Sequence, residues 1–73
     1  MDNTYRHNNR YRIGRRIAEI RKMRNLTQRQ LAEMVGMTDG NITRIELGKY
    51  STGIDILSKI AEALDCDITI TER

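Results

Sequence analysis

The stretch Gln28–Leu47, QRQLAEMVGMTDGNITRIEL, constrains this chain most. Its apolar residues, Leu31, Ala32, Val35, Met37, Ile42 and Ile45, recur at helical spacing on either side of Gly36. The spacing predicts two short amphipathic helices, roughly Gln28–Val35 and Asp39–Leu47, joined by a tight turn at Gly36. Glycine takes a positive φ at little steric cost, which suits a chain that must leave a helix sharply. Thr27 followed three residues later by Gln30 is a capping box for the first helix. Thr38 is a natural N-cap for the second, and Asp39 in its first turn favours the helix dipole. Gly40 runs against helix chemistry, at about 1 kcal/mol relative to Ala. The pattern is a packed inner face with the second helix presented outward.

The flanks predict further helices. Ile13, Ile17 and Ile20 recur at i, i+4 and i+7, which makes a buried stripe on a helix from about Tyr11 or Arg12 to Arg24. Asn25 tolerates the left-handed conformation and is a stop signal, and Leu26 should fold back into the core. Gly48–Ser51 reads as a loop. Ser51 or Thr52 should cap a last helix, from about Gly53 to Leu64, with Ile54, Leu57, Ile60, Ala61 and Leu64 as its buried stripe. After Asp65 the period changes. Cys66, Ile68 and Ile70 alternate with Asp67, Thr69 and Thr71, the mark of a β-strand. A single strand is not stable alone, and no second strand is evident in the chain. Residues 1–10, rich in Asn and poor in apolar side chains, read as a flexible basic arm. His7 has no partner at ligand spacing and reads as a solvated side chain. The organisation expected is therefore an arm over 1–10, an all-α helix-turn-helix domain over 11–65 and a short C-terminal β-strand and tail over 66–73.

Composition narrows the functions. At 73 residues the chain is one small domain, burying only about 60% of its unfolded surface. One cysteine rules out an intramolecular disulfide, and no Cys/His spacing suggests a metal site. With neither Phe nor Trp, the core must be aliphatic. No apolar run is long enough for a membrane span or a signal peptide, which together with the lone Cys66 favours the cytoplasm. One His, one Cys, no paired carboxylates at a plausible site and no glycine-rich phosphate loop leave an enzyme without an inventory, and no cofactor is expected. Charge is unevenly spread. Residues 1–25 hold eight Lys/Arg against two acids, a net of +6, and residues 26–73 hold five against eight, a net of −3. A polyanion would be met by the first part and repelled by the second.

The residues also carry a family resemblance. The runs Arg21–Ala32 (R-K-x-x-x-L-T-Q-x-x-L-A), Ile42–Lys49 (I-x-x-I-E-x-G-K) and Leu57–Leu64 (L-x-x-I-A-x-A-L), with Gly36 in the turn, resemble the phage repressor and Cro-like helix-turn-helix family. That family includes small bacterial transcriptional regulators of the xenobiotic-response-element type. The resemblance implies a compact bundle of four or five helices whose third enters the major groove of double-stranded DNA. Gln28 matches a glutamine that contacts a backbone phosphate, and Lys49 matches a backbone-contacting position. Thr27 and Thr38 could donate to phosphates as well as cap, and Asn41, at the margin of the exposed face, joins this set. Such contacts position the protein and carry no sequence information. Base reading would fall to Asp39, Gly40, Thr43 and Arg44. Arg44 leads, because a guanidinium binds guanine O6 and N7 bidentately; the competing role for it is a phosphate or a surface acid. Many relatives place a neutral residue at Asp39, which bears on sequence preference. Arg21 and Glu46 match an ion pair that links the first helix to the third. Leu47 and Ile54 stand where many relatives carry polar or basic residues, which implies fewer phosphate contacts there.

Two readings compete. In one, the strand of Cys66, Ile68 and Ile70 pairs with its own copy across a two-fold axis, giving a homodimer that matches a two-fold DNA site. In the other, the same fold serves as an antitoxin or interaction module, the strand adding to the sheet edge of a toxin-like partner protein. The strand could also fold back onto its own bundle.

Overall fold

The computed structural model describes residues 4–72, with the backbone alone over residues 4–8. Four helices follow in order: α1 Thr4–Met23, α2 Gln28–Val35, α3 Asp39–Glu46 and α4 Ile54–Ala63. The core is aliphatic, as the composition requires. Ile17, Leu31, Ala32, Val35, Ile42, Ile45, Ile60 and Leu64 are buried, with Leu26, Met37, Leu57 and Cys66 packed around them. Each fully buried aliphatic side chain contributes roughly 1.5–3 kcal/mol. The stripes run at i, i+4: Leu31 and Val35 on α2, and Ile60 on α4 with Leu64 at its C-cap. On α1 and α3 the same period places a charge in the stripe. Arg21 follows Ile17, and Glu46 follows Ile42; all four are buried.

All four helices end alike. The amides of Leu26, Met37, Lys49 and Cys66 donate to the carbonyls of Arg21, Ala32, Arg44 and Ala61, at 2.8–3.1 Å. Before each lies a left-handed residue: Asn25, Gly36, Gly48 and Asp65. This Schellman closure satisfies orphan carbonyls and reverses the chain. Three of the four residues that follow, Leu26, Met37 and Cys66, pack on the core, and Lys49 is exposed.

Two glycines set the approach of α1 to the end of α3. A Cβ on Gly14 would collide with the Ile45 carbonyl and lie 2.8 Å from that of Glu46. A Cβ on Gly48 would lie 2.8 Å from the Tyr11 Cα. Neither site has room for a side chain, so α1 lies directly on the α3 backbone.

Several expectations are corrected. Helix α1 begins at Thr4, so residues 4–10, read as part of a flexible arm, are helical. Nothing in that segment breaks a helix, as it holds neither Gly nor Pro, and Arg12 Nη2 donates to Asn9 Oδ1 at 2.7 Å along it. Residues 1–3 and the side chains of Arg6 and His7 lie outside the described residues. Ile13 and Ile54, both assigned to buried stripes, are 42% and 64% exposed. Each sits where its helix runs past the edge of a small core. Gly53, not Ser51 or Thr52, is the N-cap of α4, without a side-chain bond. Among the described residues there is no β-strand. Residues 66–72 form no regular element, because one chain supplies no second strand to pair with. The alternation survives only as a gradient: Cys66 is half-buried, Ile68 42% exposed and Ile70 99% exposed.

Replacing Gly14 by Ala should lower the unfolding free energy by about 1–3 kcal/mol, as a methyl forced into a closed contact does. A loss below about 0.5 kcal/mol in urea unfolding would contradict the close approach of α1 and α3.

Candidate nucleic-acid interface

The presented surface is the outer side of α3. Its inner side is fixed by Ile42, Ile45 and Glu46, all buried. Helical period then turns Asp39, Gly40 and Arg44 outward, where they are exposed, with Asn41 and Thr43 half-buried at the margins. The helix start is well built. Thr38 Oγ1 accepts the Asn41 amide at 3.2 Å, and Asp39 Oδ1 accepts the Gly40 amide at 3.0 Å. A Cβ on Gly40 would meet nothing closer than Thr38 Oγ1 at 4.0 Å. Packing therefore does not demand glycine there. The Thr27 capping box at the start of α2 forms as expected: Oγ1 accepts the Gln30 amide at 3.0 Å, and Gln30 Oε1 accepts the Thr27 amide at 2.8 Å.

Behind this surface runs one continuous polar chain. Arg21 on α1 meets Glu46 on α3 as a two-pronged pair, Nε to Oε2 at 2.7 Å and Nη2 to Oε1 at 3.1 Å. Its remaining prong, Nη1, donates to the Leu26 carbonyl at 2.7 Å, closing the α1–α2 loop onto the pair. Both charges are nearly sealed from solvent, with side chains 9% and 6% exposed. Gln28 then continues the chain. Its Nε2 donates to Glu46 Oε1 at 2.9 Å, and its Oε1 accepts from Thr43 Oγ1 at 2.8 Å. The hydroxyl of Thr43 also lies 3.0 Å from the Asp39 carbonyl. Three helices are thus joined by side chains whose polar groups answer one another.

The predicted residues fall into three groups. Asp39, Gly40, Thr43 and Arg44 share the outer side of α3. Thr27, Gln28, Thr38, Asn41 and Lys49 border it at the starts of α2 and α3 and in the loop after α3. Gln28 is more tied down than its sequence position suggests, with only one amide hydrogen left for a ligand. Cys66, Ile68 and Ile70 lie elsewhere. Cys66 and Ile68 border a shallow apolar groove between α1 and α4, beside Ile13 and Leu57. Cys66 is half-buried and packs against its own core.

Besides the Gln28–Thr43 bond, two more features escape the sequence reading. The Arg44 guanidinium sits 5.8 Å from the centre of the Tyr50 ring, a cation–π contact that restrains this exposed side chain. The only hint was an aromatic six residues on, past a turn at Gly48. Arg24 Nε donates to the Leu64 carbonyl at 3.1 Å, tying the ends of α1 and α4, and nothing in the sequence announces it. On α1, Arg15 Nη1 bonds the Tyr11 hydroxyl at 3.0 Å, which pushes the Arg15 pKa further up. Arg12, Arg15 and Arg16 are exposed, so the charge excess of the first 25 residues is on the surface. No group of three His, Cys, Asp or Glu stands close enough to hold a metal among the described residues, and none of the described helices is long and apolar enough to cross a membrane.

A buried aliphatic bundle that presents one short, polar helix through a capped turn defines a helix-turn-helix module. Residues 17–70 match the Helix-turn-helix family model, and the chain belongs to that family. It is similar to the HTH-type transcriptional regulator PuuR of Escherichia coli, 43% identical over 47 residues that make up 64% of this chain and 25% of that protein. It is also similar to the immunity repressor protein of Bacillus phage phi105, 37% identical over 78% of this chain and 40% of that one. The chain thus spans a quarter to two-fifths of the length of these two relatives. Among solved structures, the restriction-modification controller protein C.AhdI of Aeromonas hydrophila superposes with a TM-score of 0.81, at 25% identity, over 92% of this chain and 93% of that one.

Removing one partner of a buried ion pair costs about 3–5 kcal/mol. A 73-residue domain holds only about 4–11 kcal/mol in total. Glu46→Ala should therefore leave the chain largely unfolded near its wild-type melting temperature, measured by circular dichroism. A loss below about 1 kcal/mol would mean that the pair does not brace α3.

Proposed function

We propose that this chain is a sequence-specific double-stranded-DNA-binding transcriptional regulator, acting as a repressor in the cytoplasm, with α3 in the major groove. The observation that carries this reading is the division of α3. One side is locked by Ile42, Ile45 and the Arg21-bound Glu46, and the other offers Asp39, Gly40, Thr43 and Arg44 to a ligand. An eight-residue helix held so rigidly fits a groove that admits one helix. Arg44 reads guanine, Asp39 accepts from an amino group, and Gly40 lets the helix approach closely. Thr27, Thr38, Asn41, Lys49 and the remaining amide hydrogen of Gln28 hold the phosphate backbone. The names of the similar proteins, a transcriptional regulator and an immunity repressor, support the same class.

The regulator works as a homodimer on a two-fold site. Support comes from the apolar side chains left uncovered on the tail and beside it: Ile68, Ile70 at 99% exposure, and Ile13 across the groove. Residues 11–65 form the DNA-binding domain, and the tail from 66 onward supplies the pairing surface.

Duplexes selected from a random pool should converge on a two-fold site. Their affinity should fall roughly 500-fold between 50 and 200 mM salt if about five phosphates are held. A flat salt response, or no duplex bound at low salt, would contradict the proposal. Arg44→Ala should relax the preference at particular base pairs by about 1–3 kcal/mol; uniform weakening would make Arg44 a phosphate contact instead. Sedimentation should give a dimer for the wild type and a monomer for the Ile68→Lys, Ile70→Lys double variant. A wild type that is already monomeric at micromolar concentration would end the homodimer reading, and copurification with a toxin-like protein would favour the antitoxin role.

A further inference from the structure

We infer that Thr43 meets DNA only as a hydrogen-bond acceptor, because a buried ion pair two links away fixes the direction of its proton. This rests on the DNA reading above. A free threonine hydroxyl is indifferent, since it can donate one proton or accept on two lone pairs. Here the choice is made inside the protein.

The reasoning starts at Arg21, which can only donate. Its partner Glu46, ion-paired at 2.7 Å, can only accept. The Gln28 amide must therefore turn its Nε2 toward Glu46 Oε1, at 2.9 Å. The flipped amide would set its oxygen against a carboxylate oxygen at that distance, two acceptors with no proton between them. With Nε2 committed, Gln28 Oε1 faces Thr43 Oγ1 at 2.8 Å and can only accept. The second neighbour of that hydroxyl, the Asp39 carbonyl at 3.0 Å, is also an acceptor. Whichever of the two takes the single Thr43 proton, none is left for a ligand.

What Thr43 offers outward is its lone pairs and its methyl group. Asp39, one turn earlier on the same side of α3, is an acceptor too, with Oδ1 already taking the Gly40 amide. The N-terminal part of the helix therefore carries a run of acceptors, and Arg44 supplies the donors. In the major groove the complementary groups are the amino groups of adenine N6 and cytosine N4. Thr43 is thus a specificity-determining residue for an amino-bearing base. Gln28 is a positioning residue that sets its polarity.

The test uses the full chain and the duplexes selected from a random pool. The base pair at which Thr43→Val changes the preference is the one Thr43 reads. At that position the amino-bearing base is replaced by an analogue without its exocyclic amino group, purine for adenine or 2-pyrimidinone for cytosine. Wild type should lose about fivefold in affinity, the worth of one neutral hydrogen bond. Thr43→Ser, which keeps the hydroxyl, should lose the same, and Thr43→Val, checked for folding by its melting curve, should lose nothing. If wild type tolerates the amino deletion, or if Thr43→Val changes the preference at no base pair, the inference is overturned while DNA binding stands. If no duplex is retained at low salt, the DNA reading falls and takes this inference with it.

Discussion

The contact on which the rest depends is the two-pronged pair of Arg21 and Glu46. It sits where the apolar stripes of α1 and α3 meet, one helical turn from Ile17 and Ile42. A buried pair of this kind adds little net stability over aliphatic side chains of the same size. Its effect is directional. Aliphatic contacts would let α3 roll or slide against α1, whereas a guanidinium fork meets a carboxylate in one plane and at one register. The third prong, on the Leu26 carbonyl, ties the start of α2 to the same point. The orientation of the presented helix is therefore set by charges that never reach the surface.

The backbone around the pair is shaped to let it form. Gly14 and Gly48 bring α1 onto the end of α3, which places Arg21 within reach of Glu46. The shared Schellman endings keep each connection short, and three of them turn an apolar residue back into the core. Gln28 passes the polarity of the pair to the edge of the presented surface, where Thr43 is its last recipient. Gly40 has no such structural excuse, since the space around it is open. Glycine is a poorer helix former than Ala, by up to about 1 kcal/mol in a helix interior and less in a first turn, a cost that the close approach of a ligand would account for.

Much of this was legible in the sequence, because the signals were local. The capping box at Thr27 and Gln30, the cap at Thr38, the stops at Asn25 and Gly36 and the stripes of α2 and α3 depend on residues within one or two turns. The Arg21–Glu46 pair is legible only through the family resemblance, as no local signal joins residues 25 apart. The Gln28–Thr43 bond has no local signal either; the resemblance makes Gln28 a phosphate contact, and one of its amide hydrogens stays uncommitted. Ile13 and Ile54 have the right period but lie beyond the edge of a core too small to cover them. The tail has a strand's alternation without a strand's partner, so within one chain it forms no strand. Helix α1 continues back to Thr4 because weak composition does not stop a helix that is already running.

The central claim, that the pair's direction is passed through Gln28 to Thr43, is tested most directly by a double-mutant cycle on unfolding free energy. Wild type, Gln28→Ala, Thr43→Val and the double variant would be compared by urea denaturation. The account predicts a coupling of about 1 kcal/mol, as for one neutral hydrogen bond. Additivity within about 0.3 kcal/mol would mean that the two side chains are independent and that the polar chain ends at Glu46.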